Sequence, residues 1–470
     1  MQPTSLAFKQ NARRALADVA LQQALGLART GFQQKRAEAA ARLPEFEALR
    51  DAAKAIKDHT LAHLDLYLEA FERKVVEQGG RVHWAQGDAE ARAIVLRLCR
   101  EAGARTVTKS KSMIAEEIGL NEALEAAGIA RVETDLGEYI VQLAGQTPSH
   151  ILAPAIHMTK DQVSQLFATH HGTPPQDEPE ALLGEARRVL RQRYFEADVG
   201  ITGANFLVAE TGSIVLVTNE GNAELTQGLP KTHIAIASID KLVPTLEDAC
   251  TLLRVLARSA TGQEFSAYTT FLTGPKRTDD LDGPESFHVV LLDNGRSAMI
   301  GTELQDMLRC IRCGACMNHC PVYLATGGHA YGWVYPGPMG AVLTPSFIGI
   351  EQGQHLPNAS TFCGRCEQVC PMRIPLPRMM RYWREQQFRR HLSPPAGRYA
   401  TRLWAFAAAR PWLYRPATRL VVGLLGMMGR RTGRFRRLPL AGGWTASRDL
   451  PAPQGRTFQA RWRAERRSRP

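Results

Sequence analysis

Seven cysteines in the second half of the chain have a spacing that could bind iron–sulfur clusters. The first run reads Cys-x-x-Cys-x-x-Cys-x-x-x-Cys-Pro and the second reads Cys-x-x-Cys-x-x-x-Cys-Pro. The first run comprises Cys310, Cys313, Cys316 and Cys320, and the second comprises Cys363, Cys366 and Cys370. The first pattern is the ligand run of bacterial two-cluster ferredoxins. The spacing therefore predicts two [4Fe-4S] clusters.

The ferredoxin pattern also predicts how the thiolates divide between the two clusters. Three thiolates at two-residue intervals wrap one cluster, and the fourth, a helical turn further on, reaches the neighbouring cluster. The proline that follows turns the chain and removes an N–H donor. We therefore expect one cluster to be bound by Cys310, Cys313, Cys316 and Cys370, and the other by Cys320, Cys363 and Cys366.

The second ligand set lacks one residue. When the two runs are aligned from their Cys-Pro ends, Ser360 stands where Cys310 stands in the first. The missing corner could be open, giving a labile or three-iron cluster, or it could be filled by Ser360, solvent, a distant cysteine or a partner chain. The spacing alone does not choose between these alternatives.

Zinc and disulfide bonds explain the cysteines less well. Structural zinc is usually held by four ligands in paired Cys-x-x-Cys knuckles and needs neither seven cysteines nor Cys-Pro endings. A disulfide framework requires an even number of cysteines, and a chain of 470 residues can bury a core without crosslinks. Iron–sulfur binding is therefore the preferred interpretation.

Length and composition indicate a globular protein of two to four domains, with 44% hydrophobic residues among 470. Residues 1–9 lack the apolar run of a secretory signal, and no stretch approaches the roughly 20 apolar residues that span a bilayer. We expect a cytoplasmic location, where a reducing environment also suits thiolate ligands.

The positive charge is concentrated at the C-terminal end. Residues 371–470 contain 23 arginines, no lysine and three acids, a net charge of +20, so the total of +12 leaves −8 for the rest. Arginines alternate with Trp404, Phe406 and Trp412. Such a basic amphipathic segment can bind an acidic protein partner or, as a second choice, the surface of an anionic membrane. We expect no nucleic-acid binding, because no recognition motif accompanies the charge.

The first 300 residues have the pattern of an α/β domain preceded by helices. Residues 5–77 favour two or three helices, because Ala, Leu, Gln, Glu and Arg dominate there and the apolar residues between Leu61 and Phe71 recur at helical spacing. Short apolar runs then alternate with helical segments, which predicts βαβ units and a mainly parallel sheet. Strands are expected at 81–85, 106–108, 131–134, 150–153, 267–272 and 287–292, and helices at 89–102 and 121–127. The last two strands are expected to pair and to complete the sheet. The last residues of the chain show no pattern of an ordered element.

The centre of this domain is a glycine-rich segment, residues 200–222, which predicts a strand, a turn at 210–212, a second strand and a loop at 219–222. Loops at strand ends are common ligand sites in α/β sheets. Glu220 could act as a base or nucleophile, and the backbone at Gly200, Gly203 and Gly212 could approach an anion. The simpler interpretation, which we prefer, assigns these residues to turns and close packing.

Other candidates in the sequence are weaker. His157 and His233 stand near predicted strand ends and are expected to be structural. No phosphate-binding Gly-x-x-x-x-Gly-Lys-Ser/Thr loop and no Gly-x-Gly-x-x-Gly between a strand and a helix is present. The 42 residues between the two cysteine runs are rich in glycine, proline and aromatic residues. They could cover the clusters or form a docking surface for an electron partner.

Taken together, three features resemble the lactate utilisation protein B family: the stretch from Asn205 to Asn222, the segment Gly328–Pro338, and the order of the two cysteine runs. The resemblance implies an α/β domain over about residues 70 to 295, similar in fold to ribose-5-phosphate isomerases and CoA transferases. It also implies the cluster ligands named above and a second cysteine run that is short throughout the family. We expect an N-terminal helical segment at 1–78, the α/β domain at 79–298, an α-helical two-cluster ferredoxin-like module at 299–390, and an Arg-rich region at 391–470.

The resemblance further implies an electron-carrying subunit that works with other lactate-utilisation subunits to oxidise L-lactate to pyruvate. The sequence contains no flavin or nicotinamide fingerprint, so we do not expect the chain alone to oxidise lactate. The alternative is an enzyme of the CoA or acyl-transfer type whose clusters are structural or sensory.

Overall fold

The computed structural model of the chain describes residues 2–438, 441–445 and 448–468. The chain divides into two compact units, Met1–Gln387 and Phe388–Pro470. The expected α/β domain lies in the first unit, together with most of the expected two-cluster module at 299–390, called here the cysteine-rich module. The Arg-rich region lies in the second unit. No helix within the described ranges is long and apolar enough to cross a membrane.

The N-terminal segment is helical, as expected, but it has more helices than the two or three predicted. Its α-helices are α1 Phe8–Ala17, α2 Val19–Ala41, α3 Phe46–Ala62 and α4 Leu64–Glu77. On α4, the buried residues Leu68, Phe71 and Val75 recur at intervals of three and four, so they form one apolar face. That face packs on buried strand residues of the α/β domain.

The α/β domain alternates strands and helices. Its strands are β1 Arg81–Ala85, β2 Thr106–Lys109, β3 Ala130–Glu133, β4 Val199–Thr202, β5 Phe206–Val208, β6 Ser213–Thr218, β7 Thr232–Ser238, β8 Leu242–Val243, β9 Tyr268–Leu272 and β10 Ser286–Leu292. Its helices are α5 Asp88–Glu101, α6 Met113–Glu117, α7 Leu120–Ala126, α8 Leu136–Leu143, α9 Lys160–His171, α10 Pro179–Glu196, α11 Asn222–Gly228 and α12 Leu246–Ala260.

Six of the described strands form a sheet in the order β1-β10-β7-β4-β2-β3, and every neighbouring pair is parallel. Both faces of the sheet are buried. On β7, Ile234 and Ile236 face one apolar core, while Ala235 and Ala237 face the other. Burial on both faces explains the nearly continuous apolar runs of β7 and β10 and confirms the predicted parallel sheet.

A second, smaller sheet has the order β8-β5-β6-β9 within the described residues. Strands β5 and β6 pair antiparallel around the turn at 210–212, which confirms the predicted strand, turn and strand. The expectation that segments 267–272 and 287–292 complete one sheet is wrong. Strand β9 pairs with β6 in the small sheet, whereas β10 lies between β1 and β7 in the large one.

The strand predicted at 150–153 is absent from the described structure, where these residues form bends. The His150 side chain explains the difference. Its Nδ1 accepts hydrogen bonds from the backbone N–H groups of Leu152 at 3.0 Å and Ala153 at 3.2 Å. Because the side chain takes these donors, they are not available for strand pairing.

The cysteine-rich module is helical, as predicted. Its helices are α13 Ala315–Asn318, α14 Pro321–Thr326, α15 Gly337–Ile348, α16 Ile350–Gly353, α17 Arg365–Gln368 and α18 Leu376–Arg389. The two cysteine loops have equivalent backbones. Arg312 and Phe362 precede a cysteine at φ +59° and +54°, and Gly314 and Gly364 follow it at +73° and +80°. Each loop therefore has two residues with left-handed backbone, one on either side of a cysteine.

The second unit contains α19 Pro395–Ala408, α20 Pro411–Gly429, β11 Arg434–Phe435, α21 Gly442–Thr445, β12 Leu450–Pro451 and α22 Phe458–Ser468. Helices α19 and α20 contact each other, and β11 and β12 form an antiparallel pair. The expectation that the final residues lack order is wrong as far as Ser468, where α22 ends; Arg469 and Pro470 lie outside the described residues.

A buried ion-pair network joins the α/β domain to the cysteine-rich module. Arg296 is 1% exposed; its Nη2 lies 2.7 Å from Glu117 Oε2 and its Nε lies 2.9 Å from Asp240 Oδ1. The hydroxyl of Tyr335, in the segment between the cysteine runs, donates a hydrogen bond to Glu117. Burial opposes the ionisation of both carboxyl groups, but Arg296 holds the pKa of each below its usual value.

We expect Arg296→Met to destabilise the protein by about 3–5 kcal/mol, because it removes the direct ion-pair partner of two buried carboxylates. The measurement is the urea midpoint of unfolding. The matched control is Arg97→Met, which removes a surface pair with Glu101 whose side chains are about half exposed and which is worth little. Equal midpoints for the two variants would show that the buried network does not contribute to stability.

Candidate metal centre

The structure brings the seven cysteines together in two groups. In the first group, the Cys313 thiol interacts electrostatically with Cys370 and Cys310. The Cys316 thiol interacts with Cys313, Cys310 and Cys370. In the second group, Cys366 interacts with Cys320 and Cys363. Cys316 also interacts with Cys366, so the two groups are neighbours. This arrangement matches the predicted division of the thiols, and the assignment of each as a ligand remains a prediction.

Most of these thiols are buried in a way that suits a positively charged metal group. Burial raises the pKa of Cys313 and Cys366 to about 12 and that of Cys370 to about 11. Such thiols ionise only when a cation compensates the charge, as iron does on binding. In the described residues, no three His, Cys, Asp or Glu side chains converge as ligands of a single metal ion. Seven thiols in two neighbouring groups are the kind of donor set that binds iron–sulfur clusters.

The second group is more open to solvent than the first. Cys363 is exposed, whereas Cys320 and Cys366 are buried. Hydrogen bonding by the backbone N–H of Arg365 is the largest influence on Cys363 and lowers the pKa of its thiol. The first group has no exposed member. An electron partner could thus approach the second group most closely at Cys363.

Two arginines of the N-terminal helices hold the loop that ends at Cys370. Arg50 on α3 donates to the carbonyl oxygens of Cys370 at 2.7 Å and Gln368 at 2.8 Å. Arg36 on α2 donates to the Val369 carbonyl at 2.9 Å. Three consecutive carbonyls are therefore fixed by charged donors, which form stronger hydrogen bonds than neutral ones.

His150 ties the α/β domain to the first cysteine loop. Its Nε2 lies 2.9 Å from Asn318 Oδ1, at the end of α13. Burial lowers the pKa of His150 to about 4, so the ring is neutral at pH 7. Since Nδ1 accepts backbone hydrogen bonds, the proton is on Nε2, which donates to Asn318. The segment predicted as a strand thus contributes a contact to the cysteine loop instead.

The segment between the cysteine runs is a cover. Residues 330–345 are buried throughout, and Tyr331 is fully enclosed. Tyr331 interacts electrostatically with the thiols of Cys320 and Cys316. Because little of this stretch is accessible, the structure favours the covering role over the docking role.

The position of the missing ligand is occupied by a serine with a local partner. The Ser360 hydroxyl accepts a hydrogen bond from the Phe362 N–H at 3.1 Å. Of the two remaining cysteines, Cys99 is enclosed in the apolar core of the large sheet, and Cys250 is exposed on α12. Cys99 is therefore excluded as a distant ligand, since it is buried among the apolar residues of that core.

A cavity of about 260 Å³ lies at the carboxyl ends of the parallel strands. Residues after β2, β4 and β7 line it, together with part of β6, as expected for an α/β sheet. Gly203 and Glu220, from the predicted loops, are among the lining residues. Arg312 and Tyr335 of the cysteine-rich module also line it, so the cavity extends from the sheet to the first cysteine loop.

Most of the other predicted candidates have structural roles. Glu220 is exposed, and its Oε2 accepts the Leu136 N–H at the start of α8 at 2.9 Å. Partial desolvation, followed by the nearby Asp135, raises the pKa of Glu220. A Cβ at Gly200 would lie 1.8 Å from the Thr226 carbonyl oxygen, so glycine is required there for packing.

Gly212 and the two histidines are also structural. A Cβ at Gly212, where φ is +71°, would lie 2.6 Å from the backbone of α4. His157 Nδ1 lies 2.8 Å from the Ser149 hydroxyl, and His233 Nε2 lies 2.8 Å from the Thr202 hydroxyl. Burial is the main reason that the pKa of His157 falls to about 4 and that of His233 to about 3. The preferred interpretation of these residues fits their contacts.

Three domain families match successive parts of the chain. The LUD domain matches residues 68–292, the 4Fe-4S dicluster domain matches 306–374, and the C-terminal domain of lactate utilisation protein B matches 375–467. The dicluster match covers all seven grouped cysteines. Fold and site together define an iron–sulfur protein in which a ferredoxin-like module follows an α/β LUD domain.

Full-length relatives identify the family. Lactate utilization protein B of Macrococcus caseolyticus is 43% identical over 456 residues, which is 96% of either chain. An uncharacterized electron transport protein of Escherichia coli, YkgF, is 41% identical over 461 residues, covering 96% of this chain and 95% of its own. The chain belongs to the lactate utilisation protein B family. A DUF162 family structure from Deinococcus radiodurans has 17% identity, a TM-score of 0.26 and coverage of 49% of this chain and 98% of its own, a similarity too low for comparing folds.

Sequence reasoning missed the residues that position the cysteine loops and line the cavity. Arg36 and Arg50 lie more than 250 residues before the cysteines, and no spacing connects them. Lys241 and Arg312 become neighbours only through the fold. One local feature was open to prediction: because the two cysteine loops repeat the same spacing, the left-handed backbone could have been expected at the same place in each, at Arg312 and Phe362.

We expect Arg50→Met to accelerate loss of the bound clusters by about tenfold or more. A lost hydrogen bond to a charged donor typically costs about 1.5–3 kcal/mol, and the loop with Cys370 opens more often without it. The measurement is the decay of visible absorption when an iron chelator is added under anaerobic conditions. Arg73→Met, on the exposed face of α4, is the matched control. Equal decay rates would show that Arg50 does not secure the loop.

Proposed function

We propose that this chain is the iron–sulfur electron-transfer subunit of a multi-subunit system that oxidises L-lactate to pyruvate and so allows growth on lactate. The carrying observation is the gathering of seven cysteines, four of them buried, into two adjacent groups within a matched 4Fe-4S dicluster domain. Relatives named lactate utilization protein B, and one named an electron transport protein, support the same conclusion. The family name also implies a multi-subunit system.

The proposed ligands are those expected from the spacing. Cys310, Cys313, Cys316 and Cys370 would bind one cluster, and Cys320, Cys363 and Cys366 would bind a second cluster with one corner unassigned. We retain the domain boundaries 1–78, 79–298, 299–390 and 391–470 as part of the same proposal. When bound, two [4Fe-4S] clusters supply two one-electron carriers, which together match the two electrons released by lactate.

The residues of the chain determine how electrons enter and leave. The covering segment and the N-terminal helices exclude water from the first thiol group, while the exposed Cys363 brings the second group to the surface. The adjacency of Cys316 and Cys366 provides a short path between them. The hydride acceptor for lactate oxidation would belong to another subunit, since this sequence has no flavin or nicotinamide fingerprint.

The Arg-rich region is the proposed docking surface for another subunit. Helices α19 and α20 expose Trp404 at 66%, Trp412 at 72% and Leu420 at 66% beside arginines. Exposed aromatic and arginine side chains are typical of protein interfaces. Peripheral contact with an anionic membrane is the second candidate, because the same side chains suit its surface.

For the clusters, we expect anaerobically purified protein to contain about eight iron and eight sulfide per chain, and an EPR signal after reduction. Cys310→Ala should remove about half of the iron, because it deletes one ligand of the first group only. Cys250→Ala, on the exposed face of α12, is the control and should keep all of it. Stoichiometric zinc, or protein without iron, would refute the proposal.

For the docking surface, we expect the double variant Trp404→Ala and Trp412→Ala to weaken binding to the partner subunits by about tenfold or more. Co-purification of the co-expressed subunits measures this effect, and flotation with vesicles containing anionic lipid measures membrane contact. Trp462→Ala on α22 is a matched control in the same unit. If subunit binding is unchanged but flotation is lost, the membrane is the correct partner; if neither changes, this surface does not dock.

A further inference from the structure

Two cations without a direct ion pair face the cavity between the sheet and the first cysteine loop. Lys241 and Arg312 both line it. Among the described residues, the Lys241 ammonium group forms no hydrogen bond or ion pair, and Asp240 and Cys310 attract it only from beyond ion-pair distance. The Arg312 guanidinium lies 4.9 Å from the centre of the Tyr335 ring and 3.6 Å from the Met339 sulfur, neither of which is an anion.

The acids around the cavity already have partners. Asp240, next to Lys241 in the chain, lies 2.9 Å from Arg296. Asp135 lies 2.8 Å from the third lining cation, Lys111. Lys241 and Arg312 are half-buried, and two like charges that repel each other in such a place are unfavourable unless an anion lies beside them. Asp240 attracts both but is directly paired with Arg296, so an added anion would be the direct partner that the two cations lack.

The residues that line the cavity are apolar and polar as well as charged. Leu152 and Leu256 contribute apolar surface, and Ser112, Asn205 and Thr218 contribute polar side chains. A volume of about 260 Å³ is larger than a bare inorganic ion needs and smaller than a typical drug-sized ligand occupies. The cavity thus fits a small organic molecule with one anionic end and some hydrocarbon.

We propose that the cavity binds a small organic oxyanion, a carboxylate or a phosphate held by Lys241 and Arg312, directly beside the first cysteine loop. The guanidinium of arginine pairs well with either group because it offers parallel donors. Arg312 stands between Cys310 and Cys313 in the chain, so a ligand bound there would alter the surroundings of the first thiol group. Anion binding itself does not depend on the proposed electron-transfer function; only an effect of the ligand on electron transfer rests on that function.

The competing explanation is that both cations serve only to balance the negative charge of the first thiol group. Lys241 and Arg312 each interact electrostatically with Cys310, so some of their charge acts in this way. That explanation predicts no saturable anion binding. The two explanations therefore separate on direct binding, without any measurement of lactate turnover.

The test is calorimetric titration of the anaerobic holoprotein with L-lactate, pyruvate, ribose 5-phosphate and inorganic phosphate. We expect at least one organic anion to bind one-to-one. Lys241→Met should weaken its binding by about tenfold or more, and Lys241→Arg should restore most of the affinity. Lys231→Met, at a side chain that is 81% exposed, is the control and should bind as the parent does.

A second readout is the EPR spectrum of the reduced protein, which should change on adding the bound anion in the parent and not in Lys241→Met. Binding of L-lactate or pyruvate identifies a carboxylate ligand, and binding of ribose 5-phosphate identifies a phosphate ligand. If none of the probes binds, or if Lys241→Met binds as tightly as the parent, the proposal is wrong. Iron content and reduction remain measurable in either case, so this failure is distinct from failure of the proposed function.

Discussion

The burial of thiolate charge is the constraint on which the rest of the first unit depends. Thiols enclosed in protein ionise only if positive charge is brought to them, and bound iron is the main source. The fold adds more. Arg36 and Arg50 arrive from the N-terminal helices, and Lys57 and Arg312 interact with Cys310. Elements from the whole unit converge because the cysteine loops alone could not provide this environment.

The same constraint explains why the α/β domain and the cysteine-rich module are built as one unit. Arg296 binds Glu117 and Asp240 of the α/β domain, and Glu117 accepts the hydroxyl of Tyr335 from the covering segment. Lys57 on α3 donates to the carbonyl oxygens of Asp240 and Leu242. Buried charges of this kind are satisfied only when all three parts are in place, which specifies their mutual arrangement.

Local sequence patterns predicted the parts of the structure that depend on local physics. The spacing of the cysteines predicted the two thiol groups, because ligands of one cluster that lie on the same loop are separated by only two residues. Apolar runs predicted the parallel sheet, and the turn at Gly212 predicted β5 and β6. The segment at His150 was misread as a strand, because its side chain bonds to its own backbone, and β9 was assigned to the wrong sheet, because strand pairing is a long-range choice.

Sequence spacing could not reveal the cavity or the arginines that hold the loops, since their partners lie tens to hundreds of residues away. The two cysteine loops have the same backbone geometry but different side chains at the equivalent position. Their backbones match at Arg312 and Phe362, yet one side chain is a cation facing a cavity and the other is a phenyl ring beneath the Arg384 guanidinium. The repeated spacing therefore predicts the backbone of both loops, but it does not predict the surroundings of either side chain.

The accessibility of Cys363 has a consequence for survival in air. Dissolved dioxygen reaches a metal–sulfur bond by the same open side that an electron partner would use, and every other thiol in the two groups is at least partly shielded. Oxidative damage would therefore start at that corner and spare the inner group for longer. The exposed position of Cys363 thus favours rapid electron exchange with a partner, and it also makes the second group the part that would need repair after oxidation.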